Sequence, residues 1–337
     1  MDYQTFTIGF DARDKARLFE YWNQIFAEQK WSHAKFTRLF EEKWERWNGV
    51  PAVATASWSG GALACMHFFG LRGKKVLCPT NTFMATPLAI EAAGAEVVFA
   101  DCNRTDLCLS YDAVVAAAGQ HDLAAVWMVH IGGHIAFDAP RIAEFCRSRG
   151  IVLLEDCAHA HGASWNGRKP GTFGDAGVYS FYATKTISTG EGGMVVSSNS
   201  GLIEVARQFR DYGKPGYAVQ GLNYRMSEFT AALGAVQVDR MLDIVEWKNE
   251  IAERFLHQRY AERVRLPEGM VSGLYKYIVF EPIERSTGKV YDELCHRTMG
   301  QTGVFPGAEW VSRNHWCVPL YYSPELRPEE IMERVET

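Results

Sequence analysis

Between residues 52 and 156 short apolar runs alternate with helix-forming stretches, and this alternation restricts the fold more than any other feature of the chain. "AVATA" (52–56), "KKVLCPT" (74–80), "AEVVFAD" (95–101), "LAAVWMVH" (123–130) and "IVLLED" (151–156) read as strands. Between them lie "GALACMHFFG" (61–70), "ATPLAIEAAG" (85–94), "YDAVVAAAGQ" (111–120) and "APRIAEFCRSRG" (139–150), which read as helices, three of them stopped by glycine. Strands apolar along their whole length and separated by helices are the pattern of a parallel sheet covered on both faces. The fold class expected is α/β with a mostly parallel central sheet. Further strands are expected at 176–183, 192–198 and 275–281.

Outside this run the pattern changes. "KFTRLFEEKWERWN" (35–48) spaces Phe36, Leu39, Phe40, Trp44 and Trp47 as the apolar face of a helix that ends before Gly49. Residues 227–264 are nearly all helix-forming, as two helices or one long one. Beyond Pro267 glycine, proline and aromatic residues replace the strand–helix alternation. A large domain over 1–240 and a smaller C-terminal α+β domain over 241–337 are expected, with the N-terminal segment free to pack on the smaller one.

With a net charge of −5 and no block of Lys or Arg, the chain has no signature of a nucleic-acid partner. No stretch approaches the ~20 apolar residues of a membrane span. "MDYQTFTIGFDARDK" lacks the basic-then-apolar layout of a signal peptide, so a cytoplasmic location is expected. No two of the eight cysteines have the spacing of a zinc or redox motif, and buried thiols are expected.

Ligands of an open parallel sheet sit at the carboxyl ends of its strands. Asp156 closes one strand, His130 closes another, and Lys185 follows "VYSFYAT". An aspartate after four apolar residues is partly desolvated, which is costly without a facing cation or donor. An enclosed lysine has its pKa lowered toward a neutral, nucleophilic amine. An enclosed Asp, an enclosed Lys and a helix N-terminus for a phosphate are together the needs of pyridoxal phosphate: a Schiff-base lysine, an acid beside the ring nitrogen, an anion cradle. "ASWSGGAL" (56–63) offers the cradle at Ser59, Gly60 and Gly61, and Phe83 is a candidate to lie against the cofactor ring. "HIGGH" (130–134) and "HAH" (159–161) have no carboxylates or cysteines at metal spacing nearby in sequence, so no metal site is expected. Ser180 lacks the Gly-x-Ser-x-Gly elbow of a hydrolase, and "GEGG" (190–193) lacks the ending of a P-loop and reads as a tight turn.

Taken together, "EDCAHAHGASWNGRKPGTFGDAGVYSFYATKTISTGEGGMVV" (155–196), "GLNYRMSEFTAALGAVQVDRM" (221–241), "CPTNTFMATPLAIEAAGAEVVFADCN" (78–103) and "CVPLYYSPELRPEEI" (317–331) resemble the DegT/DnrJ/StrS-type sugar aminotransferases, fold-type I pyridoxal phosphate enzymes. The resemblance implies Lys185 as the Schiff-base lysine and proton carrier, and Asp156 as partner of the ring nitrogen. It implies His159 beside the ring, Phe83 stacked on it, and Ser180, Ser59 and Gly60 at the phosphate. Asn223 would reach the phosphate of a neighbouring subunit in a homodimer with shared sites. The reaction implied is amination of a keto sugar, commonly nucleotide-linked, or of a keto-cyclitol, with glutamate or glutamine as donor. Relatives that dehydrate sugars carry histidine at the lysine position, so Lys185 favours amination. Other pyridoxal phosphate chemistry, such as dehydration, and a cofactor-binding regulatory protein without turnover are the alternatives. The chain departs from the family at "WSGG" (58–61), where relatives have Gly-Thr and this chain has glycine at position 60.

Overall fold

The computed structural model describes residues 9–323 and Glu330. Strands β1 (Ala52–Thr55), β2 (Lys75–Pro79), β3 (Glu96–Ala100), β4 (Leu123–Val129) and β5 (Val152–Asp156) alternate with helices α3 (Trp58–Phe68), α4 (Ala85–Ala92), α5 (Tyr111–Gln120) and α6 (Ala139–Arg149), as expected. Helices α1 (Ala12–Glu28) and α2 (Lys35–Asn48) precede them. A short β6 (Ser164–Trp165), then β7 (Ala176–Ser180), β8 (Gly193–Val196), α7 (Ser200–Phe209) and α8 (Glu228–Ile251) follow.

The central sheet has seven strands in the order β1-β8-β7-β5-β4-β2-β3. Pairs β3–β2, β2–β4, β4–β5 and β5–β7 are parallel, and β8 runs antiparallel to both β7 and β1. Asp156 lies opposite Val178, Ser180 opposite Gly193, and Gly193 opposite Thr55. The ends of β5, β7 and β1 therefore meet at one edge of the sheet, where helix N-termini also gather. Apolar residues such as Val76, Val126, Leu154 and Val195 are wholly buried, as a sheet covered on both faces requires.

Helix α2 has no side-chain cap of its own, because Ala34 precedes it. Glu228, the first residue of α8, supplies one: its carboxylate accepts from Ala34 N at 2.8 Å, Phe36 N at 2.6 Å and Thr37 N at 3.1 Å. A carboxylate at a helix N-terminus also opposes the positive end of the dipole. Helix α8 runs unbroken through residue 240 and passes into a π-helical turn, Ala252–Leu256. Beyond it lie β9 (Met270–Val271), paired with β6, and an antiparallel pair, β10 (Tyr277–Val279) with β11 (Trp316–Val318). All eight cysteines are buried thiols. The motif at 317–331 is described through Ser323 and at Glu330; residues 324–329 and Ile331 lie outside the described residues.

Candidate active site

A cavity of about 390 Å3 opens at the strand ends, lined among others by Ser59, Phe83, Asp156, His159, Ser180 and Lys185. Six of the eight residues expected at the site thus meet in one place. Asp156 ends β5 and is 5% exposed. Its Oδ2 accepts from the Thr86 hydroxyl at 2.9 Å and its Oδ1 from Ala158 N at 3.0 Å. Burial raises its pKa, while those two donors and the charge of Lys185 pull it back down.

Lys185 sits in the turn after β7, its N–H donating to the Tyr182 carbonyl at 2.9 Å. Both ends of this loop are tied, Phe181 N to the Gly192 carbonyl and Thr189 N to the Phe181 carbonyl, each at 2.9 Å. The Nζ lies 4.9 Å from the centroid of the Tyr275 ring. Burial lowers the amine's pKa to about 8, against a usual value near 10.5; Asp156 opposes the shift and Lys276 adds to it. About one such amine in ten is neutral at pH 7, many times the fraction of an ordinary lysine.

His159 is buried and stacked on Tyr275, with centroids 4.2 Å apart, and Tyr291 lies parallel to it at 5.8 Å. Burial, reinforced by Lys185 and Lys276, holds its pKa well below the usual range, so the ring is neutral. Among the described residues its Nδ1 has no hydrogen-bond partner. Ser180 is buried at the end of β7, and its Oγ accepts from Tyr182 N at 3.3 Å. Phe83 leaves 66% of its surface exposed at the cavity, an unusual cost for a large aromatic ring.

Gly60 and Asn223 do not line this cavity. Helix α3 starts at Trp58, three residues earlier than the sequence suggests, and Ser57 caps it: Gly60 N donates to Ser57 Oγ at 3.3 Å and Gly61 N to the Ser57 carbonyl at 3.4 Å. A Cβ at Gly60 would come within 2.8 Å of the Tyr224 ring, so the missing hydroxyl at this position coincides with a tyrosine occupying its space. Asn223 is exposed, and its Oδ1 accepts from Arg225 N at 3.3 Å.

His130 serves the scaffold instead. Its Nε2 meets Glu155 Oε2 at 2.8 Å and its Nδ1 accepts from Ala136 N at 3.1 Å. Glu155 also accepts from Gly171 N at 2.7 Å and Gly174 N at 2.6 Å, pinning the loop before β7. The fold brings carboxylates and cysteines to the histidines that have none nearby in sequence: Glu155 and Cys157 to His130, Asp106 and Cys108 to His134. Their atoms are already engaged, Asp106 accepting from Phe137 N at 2.7 Å and Cys108 N at 3.1 Å.

Sequence reasoning missed Thr86, Tyr275, Lys276 and Tyr291. Thr86 carries a local signal, since it opens the helix after "NTFMA" at a strand end. The other three stand about 90 to 106 residues after Lys185 in a stretch without motif.

The residues present fit pyridoxal phosphate. A buried carboxylate, an amine of lowered pKa, an orphaned buried imidazole nitrogen, an uncovered aromatic face and the hydroxyls of Ser59 and Ser180 converge on one cavity.

Residues 12–268 match the DegT/DnrJ/EryC1/StrS aminotransferase family. The GDP-perosamine synthase of Escherichia coli O157:H7 is 33% identical over 69% of this chain, and the match spans 66% of that relative, just under two thirds. The dTDP-3-amino-3,4,6-trideoxy-alpha-D-glucose transaminase of Micromonospora megalomicea subsp. nigra is 31% identical over 96% of this chain and 94% of its own length. Among solved structures, the aminotransferase TlmJ from Streptoalloteichus hindustanus superposes with a TM-score of 0.87 at 28% identity, covering 99% of this chain and 97% of that one. The fold is thus the fold-type I arrangement that the resemblance implied, and the chain belongs to the DegT/DnrJ/EryC1/StrS aminotransferase family.

Proposed function

We propose that the protein is a pyridoxal phosphate-dependent aminotransferase that moves an amino group from glutamate or glutamine to a keto sugar, nucleotide-linked, or to a keto-cyclitol. The observation that carries this reading is the convergence of Lys185 and Asp156 on one cavity at the carboxyl edge of the sheet. The sugar part rests on the relatives, a GDP-perosamine synthase and a dTDP-amino-sugar transaminase.

Pyridoxal phosphate, when bound, supplies the electron sink for the carbon that loses its proton. Lys185 would hold it covalently, and its amine would also be the base that takes the proton from the donor's Cα. A pKa of about 8 suits an amine that must both accept and release a proton near neutral pH. Asp156, fixed by Thr86 and Ala158, would hold a proton on the ring nitrogen, a preorganised charge of the kind that contributes several kcal/mol. Ser180 and Ser59 would hold the phosphate, and Phe83 would cover the ring. His159, wedged against Tyr275, presents a neutral nitrogen rather than a second cation.

The exposed Asn223 fits a role in a neighbouring subunit, so the working form proposed is a homodimer with shared sites and a division of each chain near residue 240. Among the described residues no helix is long and apolar enough to cross a membrane. The eight thiols fit work in the reducing cytoplasm.

The test is mass spectrometry of the aminated product after incubating the purified protein and pyridoxal phosphate with keto-sugar nucleotides and inososes, with glutamate or glutamine as donor. A new product bearing nitrogen from a labelled donor is expected. Turnover retained in Lys185→Ala would overturn the mechanism.

A further inference from the structure

Tyr291 lines the active-site cavity from a stretch without motif, and the aminotransferase reading gives it no task. The backbone on either side of it is fixed. Val290 N donates to Nε2 of the wholly buried His315 at 2.9 Å, and Cys295 N donates to the Thr80 carbonyl at 2.9 Å. Thr80 directly follows β2, so the segment that carries Tyr291 is tied to the strand ends of the central sheet.

The Tyr291 hydroxyl has one hydrogen-bond contact among the described residues, Nε2 of His159 at 3.5 Å. Which of the two groups donates follows from the other nitrogen of the imidazole. Nδ1 is buried without a partner among the described residues, and a buried N–H left without an acceptor costs more than a bare nitrogen. The single proton of the neutral ring therefore belongs on Nε2, which donates to the Tyr291 oxygen. That leaves the phenol's own proton unused. Burial, and after it the charge of Asp156, raises the pKa of Tyr291 well above the usual range, so the hydroxyl keeps this proton. A contact of 3.5 Å is long, and it leaves the hydroxyl free to turn toward a third oxygen in the cavity that both side chains line.

We infer that Tyr291 is a cofactor-binding residue whose hydroxyl donates to the phenolic oxygen of pyridoxal phosphate, with the N–H of His159 behind it fixing the direction of that hydroxyl. The inference rests on the aminotransferase reading and adds to it a residue that no sequence motif carries. An oxygen of phenolate character is a strong acceptor, so the bond it receives is charge-assisted. A donor chain that runs from His159 through Tyr291 to the ligand also polarises each of its bonds.

Tyr291→Phe keeps the ring and removes the hydroxyl. The probes are pyridoxal phosphate and its 3-deoxy analogue, which lacks the phenolic oxygen, each titrated by absorbance into cofactor-free protein. Tyr291→Phe is expected to weaken pyridoxal phosphate about tenfold and to leave the analogue within about twofold. A loss equal for the two ligands, or absent for both, would overturn the inference. Nitrogen NMR of cofactor-free protein labelled in histidine reads the tautomer with Tyr291 in place, and His159→Gln assigns the signal. A ring proton on Nε2 is expected; a proton on Nδ1 reverses the donor order and sinks the inference as well. Binding of pyridoxal phosphate to the parent protein keeps the two readings apart. If it binds and the Tyr291→Phe comparison fails, this inference alone falls. If it does not bind at all, the aminotransferase reading fails and takes this inference with it.

Discussion

The Thr86 hydroxyl, in the first turn of α4, donates at 2.9 Å to the carboxylate of Asp156 at the end of β5. Both groups are buried, and a hydrogen bond to a buried charge is worth roughly 1.5–3 kcal/mol. Thr86→Val keeps the shape and removes the bond, so the carboxylate loses one of the donors that hold its pKa down. Expected are a roughly tenfold weaker hold on pyridoxal phosphate, read by cofactor titration, and a comparable fall in kcat/KM. Thr86→Ser should retain most of both.

The amine of Lys185 should react as a base of pKa about 8 in protein freed of cofactor. Competitive acetylation, followed by mass spectrometry of the peptide carrying residue 185, should therefore reach half its limit near that pH, whereas exposed lysines do so near 10.5. Lys276→Met removes a neighbouring cation that disfavours the protonated form, so the midpoint should move upward. A midpoint that stays put or falls would show that burial alone sets it. His159 and His161 remain neutral across this window, His161 because burial takes its pKa down to about 3.

Lys248 makes stability depend on pH in a direction that can be worked out. Its pKa is lower in the folded chain than unfolded, so folding is penalised while both forms hold the proton, below about pH 8. The penalty fades as pH rises toward the unfolded value near 10.5. Its full size is about 3 kcal/mol, less about 1 kcal/mol for the bond of its amine to the Leu274 carbonyl. Lys248→Met should therefore be more stable than the parent by about 2 kcal/mol in urea unfolding at pH 7, and by far less at pH 10.

At Gly60 the expectation is steric. A side chain there must displace the Tyr224 ring, which lies 2.8 Å from where a Cβ would stand. Gly60→Thr should cost about 1–3 kcal/mol, the usual range for overpacking. Combining it with Tyr224→Ala should cost less than the sum of the two single changes, and a double-mutant cycle in chemical denaturation measures the difference.

Most of the sheet could be read from residues because buried parallel strands are apolar throughout and their ends are punctuated. Strand direction could not: β8 carries the same apolar signature as its neighbours, yet runs against them. Helix α7 went unseen although Leu202, Ile203, Ala206 and Phe209 keep helical spacing behind the cap at Asn199. Helix α1 likewise carries Leu18 and Ile25 on one face behind a capping box at Asp11 and Asp14. Asp156, Ser180 and Lys185 were legible because each stands beside a strand end in one short motif. Tyr275 and Tyr291 were not, since only the path of the chain after α8 brings them to His159. Lys248 reads as an ordinary helix-surface lysine until the segment at 274–277 covers it. His130 shows the converse: its place at a strand end suggested chemistry, and a buried glutamate claims it for the scaffold.

Because β8 starts at Gly193, opposite both Thr55 and Ser180, a single run of main-chain pairing gauges the separation between the lysine loop and the Ser57–Gly60 turn. Ser57's carbonyl lies 2.4 Å from where a Cβ on Gly193 would be, so nothing larger than glycine can be interposed there. The reacting end of the pocket thus has almost no freedom to drift as the sequence varies. The wall built by Tyr275, Lys276 and Lys289–Tyr291 lies outside that pairing and can change without altering the gauge. New specificities on this scaffold should accordingly arise by rewriting the distant wall, residue by residue, while the spacing of the chemistry is inherited intact.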